Sequence, residues 1–389
     1  MFSDTLVSLY QPRQMLRALQ LLPKPLTFIQ DTFFKERIGA TAEAVDVDFY
    51  KGKRKLAPFV NMKVNGEVVE RDSFVTDTYK PPLVAPEMII TVEDLQKRMA
   101  GETIYDGSGA SGADRVNRRL GACQAKDLVE MRNSVTRRIE WMCSTLLCTG
   151  KIPIKGKGVD QELDLSKYWN YQDLTLDPKT NWDNLEVDIF AQIRKWKRKF
   201  VSQSGLTCDI MIFGSNALDR LYANKEWQKQ QQYIQTKLGD YQPKIQSEGL
   251  MLVAVVLGVE IYTYEEEYLD DQDLDSFGQP KAKQMIDVNK VIISSTQVNN
   301  KIIFGLLYMV DGLGTTNIPL VPETFIDKKA KNLLQRLSSR PLPVPTNIDG
   351  FITVTVCTGA DPVFVKTAES IGNAEGEGSS TNSVKKATK

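Results

Sequence analysis

The sequence predicts an α+β protein in which one long helix, extended strands and a mixed α/β region are combined. Three observations predict this fold class. Residues 112–149 carry apolar side chains at helical spacing, and no proline occurs between Glu87 and Ile152. Residues 43–80 alternate apolar and polar residues around a turn signal, as a β-hairpin does. Residues 180–320 read as helix, strand, helix and then several strands, an order typical of α+β domains.

The segment 112–149 is predicted to be a single helix. Its apolar residues recur mostly in steps of three and four, while arginine and lysine largely occupy other faces. Such a helix would be roughly 50 Å long. Heptads are not sustained, so we interpret it as a spine against which a sheet packs rather than as a coiled coil. The apolar residues are Val116, Leu120, Met131, Val135, Ile139, Met142 and Leu146.

Residues 41–85 are predicted to form an extended β-hairpin. Val45, Val47 and Phe49 alternate with polar residues or tyrosine, and Asn65-Gly66 supplies a turn in which both residues tolerate positive φ. The segment ends at Pro81-Pro82. A hairpin of this length either packs back on its own sheet or reaches another subunit.

Residues 1–40 are predicted to form an N-terminal arm. Prolines 12, 23 and 25 interrupt the segment, yet it is rich in leucine and phenylalanine, including Phe33 and Phe34. So many apolar side chains are expected to dock on something. Two interpretations remain open: the arm binds a neighbouring subunit, or a short helix packs on its own domain.

Residues 181–322 are predicted to form a mixed α/β region. A helix is expected to begin with Thr180 or Asn181 as N-cap, because an apolar stripe follows. The acidic stretch Glu265–Asp275 is predicted to be a loop. The stripe consists of Leu185, Ile189, Ile193, Trp196 and Phe200, and the strands are expected at Cys208–Phe213, Leu250–Leu257, Val259–Tyr264, Val291–Ser294 and Ile302–Tyr308.

The C-terminal part is predicted to be extended and then polar. Pro341, Pro343 and Pro345 fix an extended segment, which leads into an alternating strand at Phe351–Cys357. Residues 366–389 are small and polar, and we expect a flexible tail there.

Composition narrows the function classes. The chain has no histidine, which excludes serine-triad, cysteine–histidine and histidine-ligated zinc mechanisms. Its formal net charge is zero, which disfavours a dedicated nucleic-acid binder. The run Leu250–Val259 is about half the length that spans a bilayer. The N-terminus lacks a signal-peptide pattern, so we expect synthesis in the cytoplasm and no membrane partner.

Three motifs invite a chemical interpretation. Gly107, Gly109 and Gly112 match G-x-G-x-x-G, but the preceding segment at 92–99 is helical in pattern, so a flexible connection is favoured over a dinucleotide site. Asp271, Asp273 and Asp275 begin like a calcium loop without its glycine and glutamate, and a solvated acidic loop is favoured. The run Arg194–Lys199 is interpreted as a helix whose Trp196 packs while its cations contact water, rather than as a nucleic-acid site. No catalytic constellation is found, and no cofactor or metal is expected.

Several segments together resemble the major head protein family of phage lambda over about residues 1–358. The resemblance is carried by Leu56-Ala57-Pro58-Phe59-Val60 with the Asn65-Gly66 turn and Lys80-Pro81-Pro82, by Asp209–Ala217, by Gly258–Tyr264 with Phe304-Gly305, and by Pro341–Pro345 with Phe351–Val356.

The resemblance implies the tailed-phage (Hong-Kong-ninety-seven-type) capsid fold and a function as a major capsid protein, not an enzyme. It implies an arm at 1–40, an extended loop at 41–85, a peripheral domain at 86–180 with the spine, an axial domain at 181–322, and a return to the peripheral domain at 323–365. The residues expected to make assembly contacts are Phe33, Phe34, Lys51, Arg54, Phe59, Val60, Asn65, Gly66 and Val68.

The same resemblance implies the partners. Subunits are expected to assemble as hexamers and pentamers in the bacterial host cytoplasm, forming a virion shell that encloses double-stranded DNA without binding it specifically. A separate scaffolding protein is expected, because the 40-residue arm leaves no room for a scaffolding region. A portal protein is also expected, and a decoration protein is left open. Two alternatives also stay open: an encapsulin-like compartment shell, and a nucleotide-binding enzyme using Gly107, Gly109 and Gly112.

Overall fold

The computed structural model has an α+β fold, as the sequence predicts. It describes residues 27–50, 74–96, 112–156, 158–166, 173–177, 179–229, 244–247, 249–274, 278–309, 314–327, 329, 332–347 and 349–359. Within these residues, no helix combines the length and apolarity needed to cross a membrane.

The elements follow one another along the chain in a mixed order. The first half contains α1 (Phe28–Phe33), β1 (Glu36–Gly39), β2 (Val45–Tyr50), β3 (Phe74–Tyr79), β4 (Glu87–Thr91), α2 (Val92–Gln96), α3 (Gly112–Thr149), β5 (Lys151–Gly156), β6 (Val159–Asp164), β7 (Asp173–Thr175) and α4 (Ile189–Ser204). The second half contains β8 (Ile210–Phe213), α5 (Ser215–Ala223), β9 (Lys244–Ser247), β10 (Leu250–Val256), β11 (Val259–Tyr264), β12 (Glu267–Leu274), β13 (Pro280–Gln284), β14 (Lys290–Ser294), β15 (Lys301–Phe304), β16 (Leu307–Met309), β17 (Gly314–Thr316), β18 (Val321–Asp327), β19 (Asn332–Ser338), β20 (Pro341–Val344) and β21 (Phe351–Thr355).

The predicted spine is confirmed as α3. It contains 38 residues, which corresponds to about 57 Å. Its apolar face is buried from Leu120 to Cys148; Leu128 and the buried apolar residues after it belong to the largest hydrophobic cluster, and Leu120 belongs to a small cluster with Ile90 and Leu333. The helix ends at Thr149, and the next residue, Gly150, turns the chain into β5 with a φ of 70°.

A seven-stranded sheet separates two hydrophobic clusters. Its strand order is β7-β21-β14-β8-β11-β10-β9. Strand alternation sends Ile210 and Ile212 of β8 to the cluster around α3, and Met211 and Phe213 to the cluster around α4 and α5. Both faces of the central strands are therefore covered, which explains why β8 and β14 are buried along their whole length.

The closing strand joins this same sheet. β21 pairs antiparallel with β14 and parallel with β7. Residues 351–355 therefore share a sheet with residues 210–294, so the boundary expected between 181–322 and 323–365 does not separate two sheets. The expected extended segment at Pro341–Val344 is β20, at the edge of a three-stranded sheet with β1 and β15. An edge position suits prolines, because they cannot donate a hydrogen bond to a second neighbour.

The start expected for α4 is wrong. The helix begins at Ile189, and Asp188 caps it by accepting a 2.9 Å hydrogen bond from Ala191 N. The side chains of Asn181 and Asn184 instead accept bonds from the backbone two residues on, at 3.4 Å and 3.2 Å. Such local bonds stabilise turns in competition with helix. Residues 181–187 are therefore turns, although Trp182 and Leu185 are buried there.

The loop expected at Glu265–Asp275 is also corrected. Glu267–Leu274 forms β12, which pairs antiparallel with β13. Lysines on β13 make this pairing favourable for an acidic strand: Lys281 lies opposite Asp270, and Lys283 forms a 2.9 Å ion pair with Asp273. The acidic charge of this segment suggested a loop, but the lysine-containing strand β13, which follows it in the sequence, pairs with it.

Gly214, between β8 and α5, tests how closely this turn packs against the backbone of residues 287–288. A Cβ atom there would lie 2.5 Å from the Val288 carbonyl oxygen, a backbone atom that cannot swing aside, whereas Gly156 has open space. We expect Gly214→Ala to lower the free energy of unfolding by at least about 2 kcal/mol, and Gly156→Ala to change it by less than about 1 kcal/mol. Denaturant unfolding measures both, and equal stabilities would contradict this packing.

Candidate assembly interface

The base of the extended hairpin is fixed to the core by one face and stiffened by the other. Val45, Val47 and Tyr79 are buried in the cluster around α3. On the opposite face, Thr78 donates to Asp46 and Thr76 donates to Asp48, each at 2.6 Å and across a Cα pair of the two strands. The alternation predicted from the sequence thus produces one buried face and one hydrogen-bonded, exposed face.

The chain leaving the hairpin is held by the buried guanidinium of Arg340. Its Nη2 and Nε donate to the Pro81 carbonyl oxygen at 3.0 Å and 3.2 Å, and its Nη1 donates to Leu306 O at 2.7 Å. A 2.6 Å ion pair between Lys80 and Glu43 also links the two sides of the base and lowers the pKa of the Glu43 carboxyl. The base is therefore held in a defined place relative to the core.

This base supports a long connection. The paired strands end at Tyr50 opposite Phe74, and residues 51–73 join them. Seven of the expected assembly residues fall in that connection and lie outside the described residues: Lys51, Arg54, Phe59, Val60, Asn65, Gly66 and Val68. Of the glycine motif, Gly107 and Gly109 also lie outside the described residues, and Gly112 begins α3.

The other two expected assembly residues belong to the subunit's own core. Phe33 is fully buried and its ring meets that of Phe351 edge-on, with centroids 5.4 Å apart, while Phe34 is 1% exposed. Both rings are covered by their own chain, and their expected contact with a neighbouring subunit stays a prediction. For residues 28–34, the interpretation that a short helix packs on its own domain is confirmed.

A buried carboxylate of the spine anchors this short helix. Glu140 is 1% exposed, and its oxygens accept hydrogen bonds from Ile29 N at 2.8 Å and Gln30 N at 3.2 Å. Gln30 in turn donates from its side chain to Thr136 O at 3.1 Å. Burial raises the pKa of the Glu140 carboxyl to about 7, even though both backbone donors favour its charged form. The segment 1–26 therefore joins the described chain at a firmly attached point.

The basic run of α4 lines an open cleft. Trp196 is buried and stacks on Trp182 with ring centroids 5.9 Å apart, while Arg194, Lys197 and Arg198 line the cleft. The prediction of a packed tryptophan beside solvated cations is confirmed. Lys197 reaches across the cleft to donate to Leu257 O at 2.7 Å.

Sequence reasoning missed Glu140 and Arg340. Glu140 lies three residues before Cys143 and seven before Leu147, both buried, so it occupies an apolar face of the spine. That position was the available signal. Arg340 has no comparable signal, because its partners Pro81 and Leu306 are remote in sequence.

Comparison with known proteins gives one extensive family match. A family model described as phage major capsid protein E matches residues 11–356. A comparison with curated proteins found no match.

The solved structures that are similar to this chain include the following two. A protein described as a prophage capsid protein of E. coli CFT073 has a TM-score of 0.62 at 18% identity, covering 90% of this chain and 99% of its own. A phage-related protein from Bordetella bronchiseptica RB50 has a TM-score of 0.48 at 12% identity, covering 88% and 96%. The first structure supports the same fold. Among the described residues, no group of side chains has the composition of a metal site.

The Glu140 anchor predicts a pH dependence. The unfolded carboxyl titrates near 4.5 and the folded one near 7, so the folded state keeps a proton that the unfolded state releases between these values. Its contribution to stability is complete below pH 4.5, falls as pH rises, and is lost above about 7. The total loss corresponds to about 3 kcal/mol.

The test compares wild type with Glu140→Gln across pH 4.5 to 8 by denaturant unfolding. The wild type is expected to lose stability relative to Glu140→Gln as pH rises, by up to about 3 kcal/mol. Glu130→Gln, an exposed position on the same helix, is the control and should follow the wild type. Parallel profiles for wild type and Glu140→Gln would exclude the assigned role of Glu140.

Replacing Arg340 should loosen the hairpin exit. Arg340→Ala leaves the carbonyls of Pro81 and Leu306 without their charged donor, at a cost of about 3 kcal/mol. Arg336→Ala is the control, since its ion pair with Glu87 is solvent-exposed and contributes about 1 kcal/mol or less. Thermal unfolding separates the two variants, and an Arg340→Ala variant as stable as Arg336→Ala would show that the exit is held by other contacts.

Proposed function

Because this chain belongs to the phage major capsid protein E family, we propose that it builds the head shell by binding neighbouring subunits through the 51–73 connection and the 1–26 segment. It is a shell-forming capsid subunit, and the subunits assemble as capsomers. The observation that carries the proposed contacts is the hairpin base: Val45–Tyr50 and Phe74–Tyr79 are firmly fixed, yet they support a 23-residue connection.

The base uses its apolar face in the subunit core and satisfies its polar face locally. The connection beyond it still contains apolar residues such as Phe59 and Val60, together with Lys51 and Arg54. In a shell, such groups are covered by neighbours, and an extended strand can pair with an exposed edge of a partner.

Many modest contacts then give a stable particle. Each subunit repeats every contact around closed symmetry, so weak individual interactions act multivalently. A formal net charge of zero limits repulsion among the copies and leaves the inner wall weakly attractive to packaged DNA. Specific binding of the enclosed double-stranded DNA forms no part of the proposal.

We also propose the partners of the subunit and the place where the shell assembles. Subunits form hexamers and pentamers in the cytoplasm of the bacterial host, with a separate scaffolding protein, a portal protein at one vertex, and in some cases a decoration protein. Membership of the phage family favours a head shell over an encapsulin-like cargo compartment.

The decisive variant replaces residues 51–73 by Asn-Gly. Since Tyr50 already pairs with Phe74, a two-residue turn can close the hairpin without disturbing its base. We expect a folded subunit, with a melting temperature within about 5 °C of the wild type, that forms no regular shells. Circular dichroism measures folding, and sedimentation with electron microscopy measures assembly.

A matched control replaces Lys157-Gly158 by Asn-Gly. These two residues already form the whole connection between β5 and β6. This variant should fold and assemble like the wild type. Normal shells from the 51–73 replacement would refute the proposed contact.

A further inference from the structure

Two surfaces of opposite charge lie at opposite ends of strand β11. At its beginning, the turn Leu257-Gly258 borders the cleft lined by Arg194, Lys197 and Arg198 of α4; we call this the basic cleft. Beyond its end, Glu265 and the β12 residues Glu267 and Leu269 are all exposed; we call this the acidic face.

The basic cleft combines charge with exposed apolar groups. Leu257 is 46% exposed and lines the cleft together with the cations of α4. The bond from Lys197 Nζ to Leu257 O holds the turn against the helix. The cleft therefore has a defined shape. Its exposed apolar side chain adds little to the stability of an isolated subunit.

The Leu257-Gly258 turn between β10 and β11 has a strained backbone. Leu257 has φ of 54° and Gly258 has φ of 72°, with Val256 paired to Val259 across the turn. Two-residue turns with positive φ at both positions favour asparagine or glycine first, whereas leucine is disfavoured there. The stability of the subunit therefore does not explain why an exposed leucine occupies this disfavoured conformation, whereas a contact with another molecule would.

The acidic face is formed by strand alternation. Tyr268 points to the spine, where its ring meets that of Trp141 at 6.2 Å, so Glu267 and Leu269 lie on the other side of the strand. On β13, Lys283 lies opposite Tyr268 and Lys281 opposite Asp270, which places both lysines on the Tyr268 side. Ala282 lies opposite Leu269 and is exposed. The outer side is therefore acidic and apolar.

One subunit cannot bring these two surfaces together. β11 runs from Val259 to Tyr264, which separates its ends by roughly 17 Å. The acidic face is further fixed at the far end, because Glu265 N donates to Gly249 O and Met285 N donates to Glu266 O. A contact between the two surfaces must therefore join different copies.

We propose that the acidic face of one subunit docks on the basic cleft of the next, with Leu269 packing beside Leu257 and with Glu265 and Glu267 facing Arg194 and Arg198. The contact is head-to-tail, and its repetition closes a ring when the rotation between successive subunits divides a full turn. The inference rests on the proposed function, since it supplies the lateral contact within a capsomer.

Paired charge reversal tests this contact. Arg194→Glu with Arg198→Glu, or Glu265→Lys with Glu267→Lys, places like charges across the contact and should lower shell yield at least about tenfold. Combining all four substitutions restores opposite charges and should restore most of the yield. Lys195→Glu with Lys199→Glu, on the same helix but not lining the cleft, is the control and should assemble normally.

The readouts are sedimentation and electron microscopy of particles from expressing cells, with circular dichroism confirming folded subunits. A fourfold variant no better than either pair, or normal assembly of either pair, would overturn the contact.

A second variant separates docking from folding. Leu257→Asn places a favourable residue in the turn, so the melting temperature should equal or exceed that of the wild type. Shell yield should nevertheless fall, because the apolar contact with Leu269 is lost. If Leu257→Asn assembles as well as the wild type, Leu257 has no role between subunits and the proposal is wrong.

The experiments distinguish failure of the lateral contact from failure of the proposed contact through residues 51–73. If charge reversal leaves assembly unchanged while replacement of 51–73 abolishes it, the lateral contact is wrong and the proposed function stands. If the 51–73 variant assembles normally while the charge pairs behave as expected, the lateral contact stands without the loop.

Discussion

Burial of the apolar side of the spine helix is the interaction on which the rest of the subunit depends. The first turns of the described arm, the hairpin base and the central sheet all pack into the cluster that α3 helps to form. Because a helix of 38 residues is much longer than usual, it can hold these separate elements along one rigid axis. Contacts made with neighbours at different places are thereby fixed relative to one another.

Two buried ionisable side chains fix the points at which segments leave the core. Glu140 holds the backbone at Ile29 and Gln30, and Arg340 holds the carbonyl of Pro81. Burying a charge is costly unless hydrogen bonds compensate it. Each of these side chains satisfies backbone groups where a segment leaves the core, at the arm and at the hairpin. Geometry at the origin of these segments is thus specified by polar contacts, while the apolar core supplies most of the stability.

The pattern of apolar and polar residues along the sequence predicted the elements whose structure depends mainly on their own residues. The spine from 112 to 149 and the hairpin base follow from the spacing and alternation of apolar residues. The beginning of α4 was misplaced because Asn181 and Asn184 satisfy backbone groups in turns before Asp188 caps the helix. Pairing between remote segments, such as β21 with β14 and Arg340 with Pro81, depends on tertiary contacts that no local window contains. For the assembly residues, composition indicated Phe33 and Phe34, but apolar residues are equally suited to their own core.

The central claim is that the arm and hairpin bases are fixed within one subunit while the segments beyond them bind others. A cryo-electron microscopy map of assembled shells, resolved well enough to trace residues 1–73, tests this most directly. We predict that residues 28–34 remain against Glu140 of their own chain, while residues 51–73 lie on a neighbouring subunit. A map in which residues 51–73 fold back entirely over their own subunit would contradict the account.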